Sequence, residues 1–194
     1  FRSQTSQSNT ARGSEVAAAG TVNIKATGGG QASNLTVQGS DVSGKTVNLE
    51  ADNKVNLLAA QNTTTQTSTS SNSSASVGGS IGTSGIGITA SASLGKGSGN
   101  GTDTSYTNTH IAGADSVSIK SGSDTTLKGA TVEGKQVTAT VGGNLQVESL
   151  QDTATYAETN KQVGGSVMVG VTQTGLASGN VNYAKSNINS TYAS

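Results

Sequence analysis

A twenty-residue period constrains this chain more than any other feature. Aligning "SVSIKSGSDTTLKGATVEGK" (Ser116–Lys135) on "QVTATVGGNLQVESLQDTAT" (Gln136–Thr155) sets Val117 on Val137, Ile119 on Ala139, Gly122 on Gly142 and Leu127 on Val147. Val47, Leu49, Val55 and Leu57 fill the slots of Val137, Ala139, Leu145 and Val147, and Val22 and Ile24 open one further unit. Each unit reads apolar-x-apolar, a turn of Gly, Asp or Asn, then apolar-x-apolar again. Alternation with period two marks strands. One such strand pair cannot bury a face alone. Stacked as coils about 4.8 Å apart, successive units bury one another. The expected fold is therefore all-β, a parallel β-helix. Its core column comprises Val22, Ile24, Val47, Leu49, Val55, Leu57, Val117, Ile119, Val137, Leu145 and Val147. The chain has no proline, which suits hydrogen-bond ladders that a missing N–H would break.

A longer repeat encloses the short one. "TVNIKA" returns as "SVSIKS", "GSDVSGKTVNL" as "GATVEGKQVTA", "VGGSI" as "VGGSV" and "GSGN" as "ASGN", always in the same order, at offsets of 95, 90, 86 and 80 residues. The 194 residues thus read as one solenoid segment of two modules, about 16–110 and 111–194. Each has β-helix rungs (16–62 and 111–155) followed by a Ser/Thr/Gly-rich excursion (63–110 and 156–194). The uncharged stretch "TTTQTSTSSNSSAS" (Thr63–Ser76) alternates Thr with Gln or Ser, and Thr has high strand propensity. Downstream, Ile86, Ile88, Ala90, Ala92 and Leu94 recur at strict period two beyond the turn residues Gly82–Gly85. These runs predict an antiparallel hairpin, with Val77, Ile81, Ile86, Ile88, Ala90 and Leu94 as its candidate interaction face. After "GKGSGNG", a third extended run, "TDTSYTNTHI", is expected to return to the next rung at Ile111. Exposed strands there would offer edges for self-association. The chain begins at Phe1 rather than Met and reads as a piece of a longer protein.

Several functions have little to stand on. Eleven basic residues balance eleven acidic ones without a basic cluster, so no nucleic-acid partner is expected. The chain has no cysteine and a single histidine, His110, so neither a metal nor any other cofactor is expected. Glycoside hydrolysis would need two facing carboxylates. The acids Asp41, Glu50, Asp52, Asp115, Asp124 and Glu133 do not recur in matching slots of the two modules. A carbohydrate-binding or carbohydrate-cleaving β-helix is therefore the alternative reading, and a structural role without catalytic residues is the leading one.

"VNLLAAQNTTTQTSTSSNSSASVGGSIG" and "IAGADSVSIKSGSDTTLKGATVEGKQVTATVGGNLQVESLQDTATY" resemble the haemagglutinin repeats of filamentous-haemagglutinin-type exoproteins. That family includes bacterial adhesins of the two-partner secretion pathway and the toxin carriers of contact-dependent growth inhibition. The resemblance implies a right-handed β-helical filament with protruding hairpins on the cell surface. It implies passage through a dedicated outer-membrane transporter. It further implies an adhesive or toxin-delivering role against a target-cell surface or outer membrane, with no catalytic residues in the repeats.

Overall fold

The computed structural model describes residues 1–82, 85–171 and 176–194. In chain order the strands are β1 (Arg2–Asn9), β2 (Glu15–Ala17), β3 (Thr21–Ala26), β4 (Leu35–Gln38), β5 (Asp41–Ala51), β6 (Val55–Leu58) and β7 (Ala60–Gly82). They continue with β8 (Gly85–Thr107), β9 (Thr109–Ser121), β10 (Thr125–Lys128), β11 (Ala130–Val141), β12 (Leu145–Glu148), β13 (Thr153–Val171) and β14 (Leu176–Ala193). The chain forms two compact units. One comprises residues 8–63, 104–153 and 193–194, and the other residues 1–7, 64–103 and 154–192. The second of these holds most of both Ser/Thr/Gly-rich stretches together with residues 1–7, while residues 104–110 belong to the first.

The first unit is a parallel β-helix of four rungs. One sheet runs β11-β9-β5-β2, with β3 also on β5, and a second runs β12-β10-β6-β4. The register is the one the twenty-residue period requires: Val137 on Val117, Thr125 on Leu145, Leu127 on Val147. It continues across the long excursion, with Val117 on Val47, Ile119 on Leu49 and Leu127 on Leu57. Val22 and Ile24 in turn stack on Val47 and Leu49. Inward positions alternate with outward ones along each strand, so every second aliphatic residue enters one column. Val47, Leu49, Val55, Leu57, Ile111 and Val117 are the most deeply buried of these.

Burial fades at both ends of the stack. Val137, Leu145 and Val147 keep the register but are 47%, 53% and 69% exposed. They belong to the last rung of this segment, on which no other described rung stacks. Within this segment the three positions expected in the core column are thus in register with it but exposed. Ile24 is only partly buried, on the rung at the other end.

Outward positions form ladders of their own. Asn48 Nδ2 donates to Asn23 Oδ1 at 2.8 Å and Asn53 Nδ2 to Asn34 Oδ1 at 2.9 Å. Glu50 lies between Lys25 and Lys120, at 2.9 and 3.0 Å, so three rungs alternate in sign. Hydrogen bonds from these two lysines lower the Glu50 pKa to about 2. A group with a lowered folded pKa contributes stability above its unfolded pKa and loses it as the pH falls through the folded one. Glu50→Gln should therefore flatten the stability profile between the ordinary carboxylate range and about pH 2. Denaturant melts at stepped pH read this. Equal slopes for the two proteins would show that the ladder contributes nothing.

The second unit is a five-stranded sheet in the order β1-β7-β8-β13-β14. Its members are the two hairpins and the N-terminal strand β1. Phe1 and Ser71 exchange backbone hydrogen bonds, at 2.5 Å and 2.7 Å, which opens the β1–β7 ladder. The residues Thr83 and Ser84 of the expected hairpin turn lie outside the described residues. One expectation fails. "TDTSYTNTHI" is not a third run set off by "GKGSGNG"; β8 runs unbroken for 23 residues from Gly85 to Thr107. The glycines serve close approach instead of turning. A Cβ on Gly95, Gly97 or Gly99 would run into Asn72, Ser70 and Asn160, or Ser68 and Tyr156.

Candidate functional site

The register of the sheet sorts its side chains onto two faces. Ser74 faces Ser93 at 2.7 Å and Ser76 faces Ser91 at 2.6 Å, between β7 and β8. A Cβ on Gly97 would meet Asn160 and one on Gly164 would meet Ser93, which fixes β8 against β13. Ser166 Oγ donates to Asn180 Oδ1, and a Cβ on Gly165 would approach Val181, which fixes β13 against β14. All these neighbours share one register, and with period-two alternation they define the faces.

One face is small and polar. Ser74, Ser91, Ser93, Gly164, Ser166, Asn180 and Asn182 line a groove of about 400 Å³ there. Tyr156 Oη donates to Glu158 at 2.7 Å on this face. The bond lowers the Glu158 pKa and raises that of Tyr156. Met168 and Ile188 are its large aliphatic exceptions, half exposed.

The opposite face is apolar and uncovered. It gathers Val77 and Ile81 from β7, Ile86, Ile88 and Leu94 from β8, Val163, Val167 and Val169 from β13, and Val181 and Tyr183 from β14. Exposure reaches 58% at Ile88, 81% at Val77 and 82% at Val181. Ala90 belongs to the same alternating set and is also exposed. The structure therefore brings all six hairpin residues singled out in the sequence onto one face. Sequence reasoning missed the half contributed by β13 and β14, although "VGGSV" had already paired Val163 and Val167 with Val77 and Ile81. Contiguous apolar surface across four strands is more than a scatter of single exposed side chains.

The solenoid offers little that could do chemistry. His110 Nδ1 lies 3.0 Å from Asp41 Oδ1, directly across two rungs, and both side chains are exposed. Asp115 is held by Lys135 at 2.9 Å and Lys45 at 3.7 Å, and Asp124 by Lys54 at 3.1 Å. The Lys135 hydrogen bond lowers the Asp115 pKa, while the Asn144 backbone N–H does the same for Asp124. A lowered pKa disfavours the protonated form that the proton-donating acid of a glycosidase pair needs. Among the described residues no group of three or more His, Cys, Asp or Glu could hold a metal ion.

Stacked parallel rungs in register define a β-solenoid repeat protein. A family model described as Hemagglutinin repeat matches residues 2–165, and the chain belongs to that family. It is 38% identical over 190 residues to the "tRNA nuclease CdiA" of Yersinia mollaretii, covering 96% of this chain and 6% of that protein. The "Deoxyribonuclease CdiA" of Yersinia pseudotuberculosis serotype O:3 is 36% identical over 186 residues, covering 94% of this chain and 17% of its own. The "Toxin CdiA" of Escherichia coli is 43% identical over 88 residues, 44% of this chain and 3% of that one. The chain thus spans a small fraction of these relatives. No solved structure matches. The chain is a segment of a secreted, cell-surface exoprotein of the class that holds adhesins and contact-dependent-inhibition proteins.

Proposed function

We infer that this segment works mechanically and adhesively, with no catalytic step of its own. Its rungs extend the shaft of the exoprotein, and its hairpin sheet is the surface that meets the target cell. The repeating functional element is then a pair of rungs with its hairpin, and the parent chain leaves its producer through an outer-membrane transporter. The relatives' names, nucleases and a toxin, support delivery of a toxic cargo as the purpose of that contact. One observation carries the reading: an apolar face built from four strands and left open to solvent. The occupant we assign to it is the lipid of the target cell's outer membrane. An apolar strand face with polar groups turned to the other side is what a sheet needs in order to rest in lipid.

Flotation of the chain with phospholipid vesicles tests this. The wild-type chain should float with the vesicles. Ile88→Asp with Ala90→Asp should leave most of the protein in the soluble fraction, because charge on a lipid face is costly. Equal flotation of the variant and the wild type would remove the lipid assignment.

A further inference from the structure

The nine lysines divide sharply. Among the described residues Lys25, Lys45, Lys54, Lys120, Lys128 and Lys135 each pair with a carboxylate within 3.7 Å. All six belong to the solenoid. The three lysines of the five-stranded sheet, Lys96, Lys161 and Lys185, are in none of these pairs.

Register puts those three side by side. Lys96 precedes Gly97, whose missing side chain makes room for Asn160, so Lys96 stands opposite Lys161. The β13–β14 register set by Ser166 and Asn180 places Lys161 opposite Lys185. Each lies two residues from an apolar side chain on the same strand face: Leu94, Val163 and Tyr183. The row therefore borders the apolar surface on its own face. The two carboxylates of this unit, Asp103 and Glu158, alternate onto the other face. Beside the row a hollow of about 530 Å³ is lined by Thr69, Ser71, Ser98 and Thr159 together with Lys96 and Lys161.

Like charges directly opposite on neighbouring strands destabilise a sheet. Here three are aligned at the rim of an apolar surface, in no ion pair among the described residues. We propose that Lys96, Lys161 and Lys185 form a binding row for anionic lipid headgroups, which fixes how far the apolar face enters a membrane. The row supplies the complementary charge for phosphate, and the neighbouring hydroxyls supply donors. The aliphatic stems lie along the apolar surface while the ammonium groups reach the headgroup level. This rests on the lipid-contact reading and adds a choice of lipid to it.

The test uses the whole chain with vesicles of phosphatidylcholine alone, and of phosphatidylcholine mixed with phosphatidylglycerol. Three lysines close to an anionic surface should raise affinity on the order of 100-fold over the zwitterionic vesicles, and added salt should erode the gain. Lys96→Gln/Lys161→Gln/Lys185→Gln should lose the preference and retain the weaker binding to phosphatidylcholine. Lys45→Gln/Lys135→Gln, a change of equal kind on the solenoid, should keep it. Wild-type protein that binds both vesicles equally overturns the lysine row and leaves the lipid contact standing. So does a triple variant that keeps the preference. Protein that binds neither vesicle overturns both. Loss of the preference in a few millimolar inorganic phosphate would assign the row to a free anion instead of a membrane.

Discussion

Leu49→Ala should lower the unfolding free energy by about 2–5 kcal/mol, the range for deleting a buried leucine side chain and leaving a cavity. Leu49 is 1% exposed and is held between Ile24 and Ile119 of the adjoining rungs. The neighbours sit on a backbone ladder whose spacing is fixed by hydrogen bonds, so the gap cannot close by a shift of one side chain. Leu145→Ala provides the contrast. Leu145 occupies an equivalent inward slot on the last rung of this segment but is 53% exposed, and its loss should cost a fraction as much. Guanidinium melts followed by far-ultraviolet circular dichroism measure both. Similar costs for the two would mean that stacking between rungs is not what stabilises the solenoid.

That contrast also shows what was legible in the sequence. The period of twenty predicted the register of Val137 on Val117 and Leu127 on Val147 because β-helix rungs must align aliphatic residues to bury them. Burial at a particular position is a different matter. It depends on whether another coil lies above, and the pattern of Val137, Leu145 and Val147 is the same whether or not one does. The sheet was half legible. Strict alternation at Ile86–Leu94 marked one strand, yet β1 reads "RSQTSQSN", with no apolar residue to announce it. Its place follows from backbone pairing with β7, and backbone groups leave no trace in a hydrophobic pattern. "GKGSGNG" misled for a related reason. Glycine marks turns and also marks places where a neighbour comes close, and only the positions of Asn72, Ser70, Ser68 and Tyr156 distinguish the two. The lysine row was invisible for the same reason. Lys96, Lys161 and Lys185 are far apart in the chain, and the β8–β13 and β13–β14 registers bring them into line.

Gly122→Ala should destabilise the solenoid by about 1–3 kcal/mol, as overpacking does at a tight site. Gly122 lies at a corner of its rung, and the methyl group would be driven into the Asp52 backbone carbonyl of the neighbouring rung. Gly142, one rung on, has the same relation to Gly122, whose carbonyl oxygen occupies the corresponding space. The corner is thus a stack of backbones in which a side chain has no room. Rung spacing cannot widen there to admit one without stretching the ladder bonds, among them Gly122 N–H to Ala51 O at 3.1 Å and Gly142 N–H to Ser121 O at 3.0 Å. Gly20→Ala separates this effect from glycine replacement in general. Nothing lies within 4 Å of where its methyl group would go, so it should be neutral, or stabilising by about 0.4–1 kcal/mol through loss of unfolded-chain freedom. Denaturant midpoints of the two variants give the comparison. A Gly122→Ala midpoint at or above that of Gly20→Ala would show that the corners are loose and that inward aliphatic contacts alone set the distance between coils.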